Sequence, residues 1–180
     1  FDAMQDHLAI GYTAGELSRI MDSGKTAVLL GLEGLDGLGT EPDWLHTLYH
    51  LGFRHAMLTW STDNAFAAGS AHEGPGDGIT ARGIEALHIM ERLGMLVDVS
   101  HASEKTFWDI VSHTEKPFIA SHSNAWSLCP AKRNLKDDQI RAIAERGGVI
   151  GMNAWGSFID PVHATVDRLA DHAAYIADLV

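Results

Sequence analysis

The chain has 180 residues, of which 46% are hydrophobic and 21% are charged, a composition typical of a soluble globular protein with a hydrophobic core. Its 24 acidic and 13 basic residues give a formal net charge of −11, which argues against nucleic acid as a partner, because that binding depends on clusters of Lys and Arg. Cys129 is the single cysteine, which excludes an internal disulfide and a cysteine zinc site, so any metal must be bound by His and carboxylate groups.

No apolar run reaches the roughly 18 residues of a transmembrane helix, and the N-terminus lacks the pattern of a signal peptide. We therefore expect no membrane span and predict a soluble protein, such as one of the bacterial cytoplasm. The sequence begins without Met and stops within a helical pattern, so residues 1–180 are expected to be a single domain that is truncated at both ends.

Short apolar runs that predict buried strands alternate with helical patterns along the chain. In chain order, the patterns predict a helix at 13–24, strands at 27–33 and 54–59, a helix at 80–94, a strand at 95–101, a helix at 103–114, a strand at 117–122, a helix at 136–148, a strand at 148–154 and a last helix from about Pro161. The long loop at 61–78 is rich in Gly, Ala and Asp, which is typical of a functional or mobile segment.

Strands that alternate with helices predict an α/β fold, in which parallel strands are joined by right-handed crossovers. The pattern alone fits either an open doubly wound sheet or a closed eight-stranded barrel. No Gly-x-Gly-x-x-Gly motif follows the first predicted strand, so a dinucleotide cofactor is disfavoured.

Three of the five predicted strands end in a residue that can bind a metal, namely Glu33, His101 and His122. Side-chain alternation places each of them in line with an apolar row, which in a barrel is expected to face inward and to end at the mouth. A single such histidine is more often a hydrogen-bonded core residue or a helix cap, but two imidazoles and a carboxylate together are a zinc-type ligand set. By the same alternation, Asp98 and Ser100 are expected between the strand and the helices. The remaining histidines are assigned no role.

Several motifs identify a family resemblance. Residues 78–155, with "DVSHAS", "SHSNA" and "LCPAKRN", together with the upstream "GLEG", strongly resemble the renal or membrane dipeptidase family, peptidase family M19. These are zinc metallopeptidases with a TIM-like (β/α)8 barrel in the amidohydrolase group, and the resemblance covers about residues 27–180. A barrel of this type takes about 250 residues, so we expect a partial barrel with about five βα units in this chain.

The resemblance implies a zinc-dependent dipeptidase that cleaves the peptide bond of dipeptides, including those with a D-residue at the C-terminal position, by means of a hydroxide held between two Zn²⁺ ions. Glu33 is similar to the carboxylate that bridges both ions, and His101 and His122 are similar to the imidazole ligands of the second ion. The partner is then a dipeptide substrate, and a homodimer is also expected.

The resemblance also implies substrate-binding residues. Arg133 is similar to the arginine that lies near the substrate carboxylate, and Asn153 is expected either to line the same mouth or to cap a strand. Trp60 stands where mammalian members carry a substrate-binding histidine, which leaves the substrate preference open.

Two expected parts of the family site have no counterpart in these residues. The His-x-Asp that binds the first zinc is absent from the sequence, so the first metal site is incomplete here. No catalytic residue is assigned, because the acid/base aspartate is expected beyond Val180.

Two alternatives stay open. In the first, the chain is an incomplete or noncatalytic barrel that serves as a binding or structural subunit. In the second, it is another metal-dependent amidohydrolase that acts on cyclic amides or esters, with Trp60 as an aromatic platform.

Overall fold

The computed structural model describes residues 4–73 and 77–180, so positions 74–76 of the predicted loop at 61–78 lie outside the described residues. The strands are β1 (Leu8–Ile10), β2 (Thr26–Val28), β3 (Leu30–Leu32), β4 (Phe53–Met57) and β5 (Leu96–Asp98). The helices are α1 (Ala14–Asp22), α2 (Trp44–His50), α3 (Ala81–Leu93), α4 (Glu104–His113), α5 (Asp137–Glu145), α6 (Gly156–Ile159) and α7 (Val166–Leu179), and a short 3-10 helix spans Asp36–Leu38.

Most of the longer helices begin where a hydroxyl side chain satisfies a free backbone N–H of the first turn. Thr13, Thr80, Ser103 and Thr165 precede α1, α3, α4 and α7, and each side-chain oxygen accepts from the N–H three residues later. Helix α3 ends at Gly94, whose φ of 74° is the left-handed conformation that glycine adopts without strain. Within the described ranges, no helix combines the length and the apolar character that crossing a membrane requires.

All the paired strands are parallel, and within each of two sheets a strand pairs with the next one in the chain. β1 pairs with β2, and β3, β4 and β5 form a second sheet in that order. Single parallel bridges from Asp98 to Ile119 and from Ala120 to Ile150 continue this order. The prediction of an α/β fold with parallel strands is therefore confirmed. The strands predicted at 117–122 and 148–154 are reduced to bridges.

The first strands differ from the prediction in two ways. The run at 27–33 is divided into β2 and β3, and the register between β3 and β4 shifts between Leu30 and Gly31. β1 was not predicted, because its three residues are too short for a recognisable alternation.

The predicted inward orientation is wrong for two of the three apolar rows, those that lead to His101 and His122. Val97, Val99, Phe118 and Ala120 belong to the core cluster that also holds Leu87 of α3 and Ile110 of α4, and the ring of Phe118 lies 5.9 Å from that of Phe107 in α4. These rows therefore face the helices. A strand that is buried on both faces carries apolar residues on both, so apolar character does not reveal which face meets the helices.

Asp98 lies on the opposite face of the sheet from these rows. It pairs with Met57 in the parallel register of β4 and β5, and His55 shares that face because it is two residues away from Met57. Gly31 pairs with His55, and Glu33 follows two residues later. This face, which we call the site face, carries Gly31, Glu33, His55, Met57 and Asp98.

Candidate metal centre

Three ligand atoms meet at the ends of three parallel segments, namely β3, β5 and the segment at 117–122, and we call Glu33, His101 and His122 the ligand triad. The Nε2 atom of His101 lies 3.0 Å from Oε1 of Glu33 and 2.9 Å from Nε2 of His122, and the third separation, from His122 Nε2 to Glu33 Oε1, is 3.4 Å. The atoms lie within 4.8 Å of one another. The structure thus brings together the residues that strand ends alone had indicated.

The triad fits a zinc-type ion in chemistry and in spacing. Two imidazole nitrogens and one carboxylate oxygen form a ligand set of known zinc sites. At metal–ligand distances of about 2.0 to 2.2 Å, tetrahedral ligand atoms lie about 3.3 to 3.6 Å apart, close to the 2.9 to 3.4 Å found here.

Two serine hydroxyl groups orient the imidazole rings. Ser61 Oγ lies 2.9 Å from Nδ1 of His101, and Ser121 Oγ lies 2.8 Å from Nδ1 of His122. When each Nδ1 carries its proton and donates it to the serine oxygen, both Nε2 lone pairs face each other at 2.9 Å. Such an approach is repulsive unless a cation or a shared proton lies between the two nitrogens.

The surroundings of both rings favour the neutral form that binds metals. Burial, aided by the positive charge of Arg133, lowers the pKa of His101 from 6.5 to about 3. Burial and the same guanidinium group also hold the pKa of His122 below its usual value. The rings are therefore neutral at neutral pH, with lone pairs available to an ion.

The backbone at His101 turns the side chain toward the site. Its φ of 71° lies in the left-handed region, which no other described residue except glycine adopts. The N–H of Ala102 donates to the carbonyl of Val99 at 3.1 Å, so His101 occupies the third position of a tight turn that requires this conformation. The turn carries the ring away from the helix-facing row of Val97 and Val99.

The three predicted substrate-binding residues surround the triad. Trp60 is 50% exposed and stacks on His101, with ring centroids 5.5 Å apart and planes 27° apart. Asn153 donates from Nδ2 to the carbonyl of His122 at 3.4 Å, while its Oδ1 accepts from the N–H of Trp155. Both expectations for Asn153 thus stay open, since it contacts the site and also caps its own segment.

Arg133 is a buried cation. It is 8% exposed, its Nη2 donates to the carbonyl of His122 at 3.2 Å, and its Nε has no hydrogen-bond partner among the described residues. Burial lowers the pKa of the guanidinium to about 10, although Asp98 and Glu33 act in the opposite direction. Within residues 4–73 and 77–180, no carboxylate forms an ion pair with Arg133, so its charge is available to an anionic ligand.

A pair of site-face residues was missed by the sequence reasoning. Nε2 of His55 lies 2.7 Å from Oδ2 of Asp98, whose side chain is 0% exposed. The expectation that Asp98 lies between the strand and the helices is wrong, because its carboxylate points to the other face of the sheet. Burial by itself opposes ionisation of Asp98, but hydrogen bonds from His55, Ser121 and Ser100 outweigh it, so the pKa lies below its usual value.

Gly31 carries the sequence signal that points to this pair. A glycine inside a strand often marks a close approach of another group, and here a Cβ atom on Gly31 would lie 2.1 Å from Nδ1 of His55. The position therefore leaves space for the imidazole that contacts Asp98.

Substitution of Gly31 by alanine is expected to destabilise the protein, because the added methyl group displaces the His55 ring. A loss of about 1 to 3 kcal/mol in the free energy of unfolding is typical of such overpacking. Urea unfolding of Gly31→Ala measures the effect, and Gly15→Ala is the control, because no atom lies within 4 Å of a Cβ atom at Gly15. Equal stability of the two variants would contradict the assignment of a space requirement to Gly31.

Comparison with known proteins identifies the family of the chain. The model of the membrane dipeptidase family, peptidase family M19, matches residues 1–180. A Schizosaccharomyces pombe protein described as an uncharacterized dipeptidase is 40% identical over 166 residues, which are 89% of this chain and 40% of the relative. The dipeptidase tcpJ of Claviceps purpurea is 33% identical, over 97% of this chain and 42% of its own length. The chain thus spans about two fifths of the length of these relatives.

Solved structures show the same fold. A metallopeptidase from Rhodobacter sphaeroides, solved with a phosphinate mimic of the dipeptide L-Ala-D-Ala, superposes with a TM-score of 0.90 at 28% identity, over 98% of this chain and 53% of that chain. An amidohydrolase from Pseudomonas aeruginosa gives the same TM-score at 23% identity, over 99% of this chain and 55% of the other, which is a likeness of fold alone. Because the family model covers the whole sequence, the chain belongs to the membrane dipeptidase family, peptidase family M19.

Proposed function

We propose that the full-length protein is a zinc-dependent dipeptidase and that the ligand triad holds one of its ions. The observation that carries this proposal is the convergence of Glu33, His101 and His122, whose ligand atoms lie within 4.8 Å of one another. Membership of the dipeptidase family supports the choice of reaction.

The residues of the triad have distinct parts in this proposal. His101 and His122 present neutral Nε2 atoms, and their serine partners keep the rings oriented. The side chain of Glu33 is 55% exposed, so its carboxylate is accessible from outside the triad, which supports its assignment as the bridge between two ions. A bound zinc-type ion would supply Lewis-acid polarisation of the scissile carbonyl and activation of a water molecule.

Arg133 is proposed to bind the terminal carboxylate of the dipeptide. A buried guanidinium group without an anionic partner is costly, and a substrate carboxylate would relieve that cost through a charge-assisted hydrogen bond. Its contact with the carbonyl of His122 places it next to the triad. Asn153 contacts the same carbonyl and is proposed to line this part of the site.

Trp60 is proposed to form an apolar wall of the substrate site. Its indole ring stacks on His101 and remains half exposed, so one face of it is available to a substrate side chain. The Rhodobacter sphaeroides structure with a mimic of L-Ala-D-Ala supports the proposal that dipeptides with a D-residue at the C-terminal position are substrates.

We further propose that residues 1–180 form one domain and contribute to a (β/α)8 barrel that is completed elsewhere in the protein. The sequential order of the parallel strands from β3 through the bridges to Ile119 and Ile150 supports a barrel, because an open doubly wound sheet reverses its strand order at one point. A homodimer and a cytoplasmic location stay predictions, and light scattering tests the first.

Removal of metal is expected to abolish dipeptide hydrolysis by the full-length protein, because the triad alone provides no group that polarises the peptide carbonyl. The measurement is turnover of L-Ala-L-Ala and L-Ala-D-Ala before treatment with a chelator, after it, and after addition of Zn²⁺. Restoration of turnover by Zn²⁺ supports the proposal.

Two other outcomes would replace the proposal. Stoichiometric metal without hydrolysis of any dipeptide would favour a noncatalytic relative. Hydrolysis of cyclic amides or esters in place of dipeptides would favour another amidohydrolase, in which Trp60 stacks on a ring-shaped substrate.

A further inference from the structure

The carboxylate of Asp98 is the polar centre of the site face. Its side chain is 0% exposed and its oxygens accept three hydrogen bonds. Oδ1 accepts from the backbone N–H of Ser100 at 2.8 Å and from that of Ser121 at 3.1 Å, and Oδ2 lies 2.7 Å from Nε2 of His55. A buried carboxylate is tolerated because these donors replace water.

The two backbone donors belong to the residues immediately before the imidazole ligands. Ser100 precedes His101, and Ser121 precedes His122, so one carboxylate oxygen ties together the ends of two neighbouring segments. Ser100 adds a direct connection, because its Oγ accepts from the backbone N–H of His122 at 3.1 Å. The relative position of the two rings therefore depends on Asp98 and Ser100.

The hydrogen bonds of Asp98 and Ser100 join the two segments at a point where the sheet itself no longer holds them together. β5 ends at Asp98, and the backbone ladder beyond it consists of single bridges. Side-chain hydrogen bonds thus replace a continuous ladder at the point where the ligands leave the sheet. His55 forms a hydrogen bond with the second carboxylate oxygen of Asp98 and restricts rotation of the carboxylate group.

We propose that Asp98 is a positioning residue of the metal centre, which holds the ends of two segments so that the Nε2 atoms of His101 and His122 converge on one ion. This inference rests on the proposed metal centre. Outer groups of this kind typically change metal affinity 10- to 100-fold when they are lost. Asp98 contacts neither the ion nor the substrate in this role.

The test compares Zn²⁺ affinity of the metal-free full-length protein and its variants, by competition with a chromophoric chelator. Asp98→Ala removes the acceptor of the Ser100 and Ser121 N–H groups and is expected to weaken Zn²⁺ binding about 10- to 100-fold. Asp98→Asn keeps an oxygen that accepts from both N–H groups, so its affinity is expected to stay within about threefold of the parent. The visible spectrum of bound Co²⁺ reports the ligand geometry and is expected to change in Asp98→Ala and to remain in Asp98→Asn.

Thr106→Val is the matched control. Thr106 is fully buried and donates from its hydroxyl to the carbonyl of Ala68, but it contacts no member of the triad. Its loss is expected to lower thermal stability without changing Zn²⁺ affinity. Ser100→Ala, a smaller change, replaces Asp98→Ala if that variant does not fold, and it is expected to weaken binding because the N–H of His122 loses its acceptor.

The outcomes separate the two proposals. If the parent protein does not bind Zn²⁺, the metal centre itself is wrong. If the parent binds Zn²⁺ and both Asp98→Ala and Ser100→Ala bind it equally well, the metal centre stands and the positioning role is overturned. A loss of Zn²⁺ affinity in Asp98→Asn as large as that in Asp98→Ala would also overturn the positioning role. The charge of Asp98, and not the two hydrogen bonds that it accepts, would then determine the affinity.

Discussion

Substitution of His122 by alanine in the full-length protein is expected to remove both the proposed bound metal and the proposed dipeptidase activity. The variant loses one of three ligand atoms that lie within 4.8 Å, and the remaining two hold an ion poorly. Metal catalysis supplies several kcal/mol of transition-state stabilisation, so turnover is expected to fall about a thousandfold or more. Metal analysis together with turnover of an L,D-dipeptide measures both effects.

The stability of the metal-free variant distinguishes a ligand from an ordinary core histidine. If the two rings keep their separation of 2.9 Å between Nε2 atoms when no ion is bound, their lone pairs would repel each other, and removal of one ring would relieve that repulsion. The melting temperature of metal-free His122→Ala is therefore expected to equal or exceed that of the metal-free parent. His46→Ala is the control, because His46 is an exposed residue of α2 and should change neither metal content nor turnover. Full metal content in His122→Ala would remove it from the ligand set.

Substitution of Arg133 by methionine is expected to weaken substrate binding while the protein becomes no less stable. Loss of a hydrogen bond to a charged group costs about 1.5 to 3 kcal/mol, which corresponds to a decrease in kcat/KM of about 10- to 150-fold. Arg133 is 8% exposed and its Nε has no partner in the part of the chain described, so a methionine of similar length removes a buried charge that forms no ion pair among the described residues. Steady-state kinetics and thermal unfolding measure the two effects.

Arg133→Lys serves as the intermediate case. Lysine keeps the charge but lacks the planar fork of the guanidinium group, so KM is expected to rise more than kcat falls if the residue contributes uniform binding. A fall in kcat at unchanged KM would instead place Arg133 in the chemical step. An undiminished kcat/KM in the methionine variant would contradict the role as a carboxylate anchor.

The elements and the members of the triad were accessible from the sequence because local signals mark them. Hydroxyl caps at Thr80 and Ser103 mark helix starts, and an apolar run that ends in Glu33 or His101 places a ligand just beyond the end of a strand. The bridges at Ile119 and Ile150 show that the apolar runs at 117–122 and 148–154 lie parallel to their neighbours, as predicted for buried strands of an α/β fold.

The orientation of the apolar rows and the pairing of His55 with Asp98 could not be predicted from the sequence. Alternation fixes which residues share a face, but not which face meets the helices when both are buried. The hydrogen bond between His55 and Asp98 joins residues that are 43 positions apart, and it depends on the register of β4 and β5. His101 lies at the predicted site although its apolar row faces the helices, because its φ of 71° redirects the ring after the strand ends.

The left-handed backbone of His101 limits which residues can replace it during evolution. Glycine, asparagine and aspartate adopt a φ near 71° at low cost, whereas valine, isoleucine and threonine do not. A lineage that abandoned the ion would therefore be expected to fix glycine or asparagine at this position, and aspartate would allow the ion to be retained with an oxygen in place of the nitrogen. The shape of one turn thus narrows the routes by which such a protein can lose or alter its chemistry.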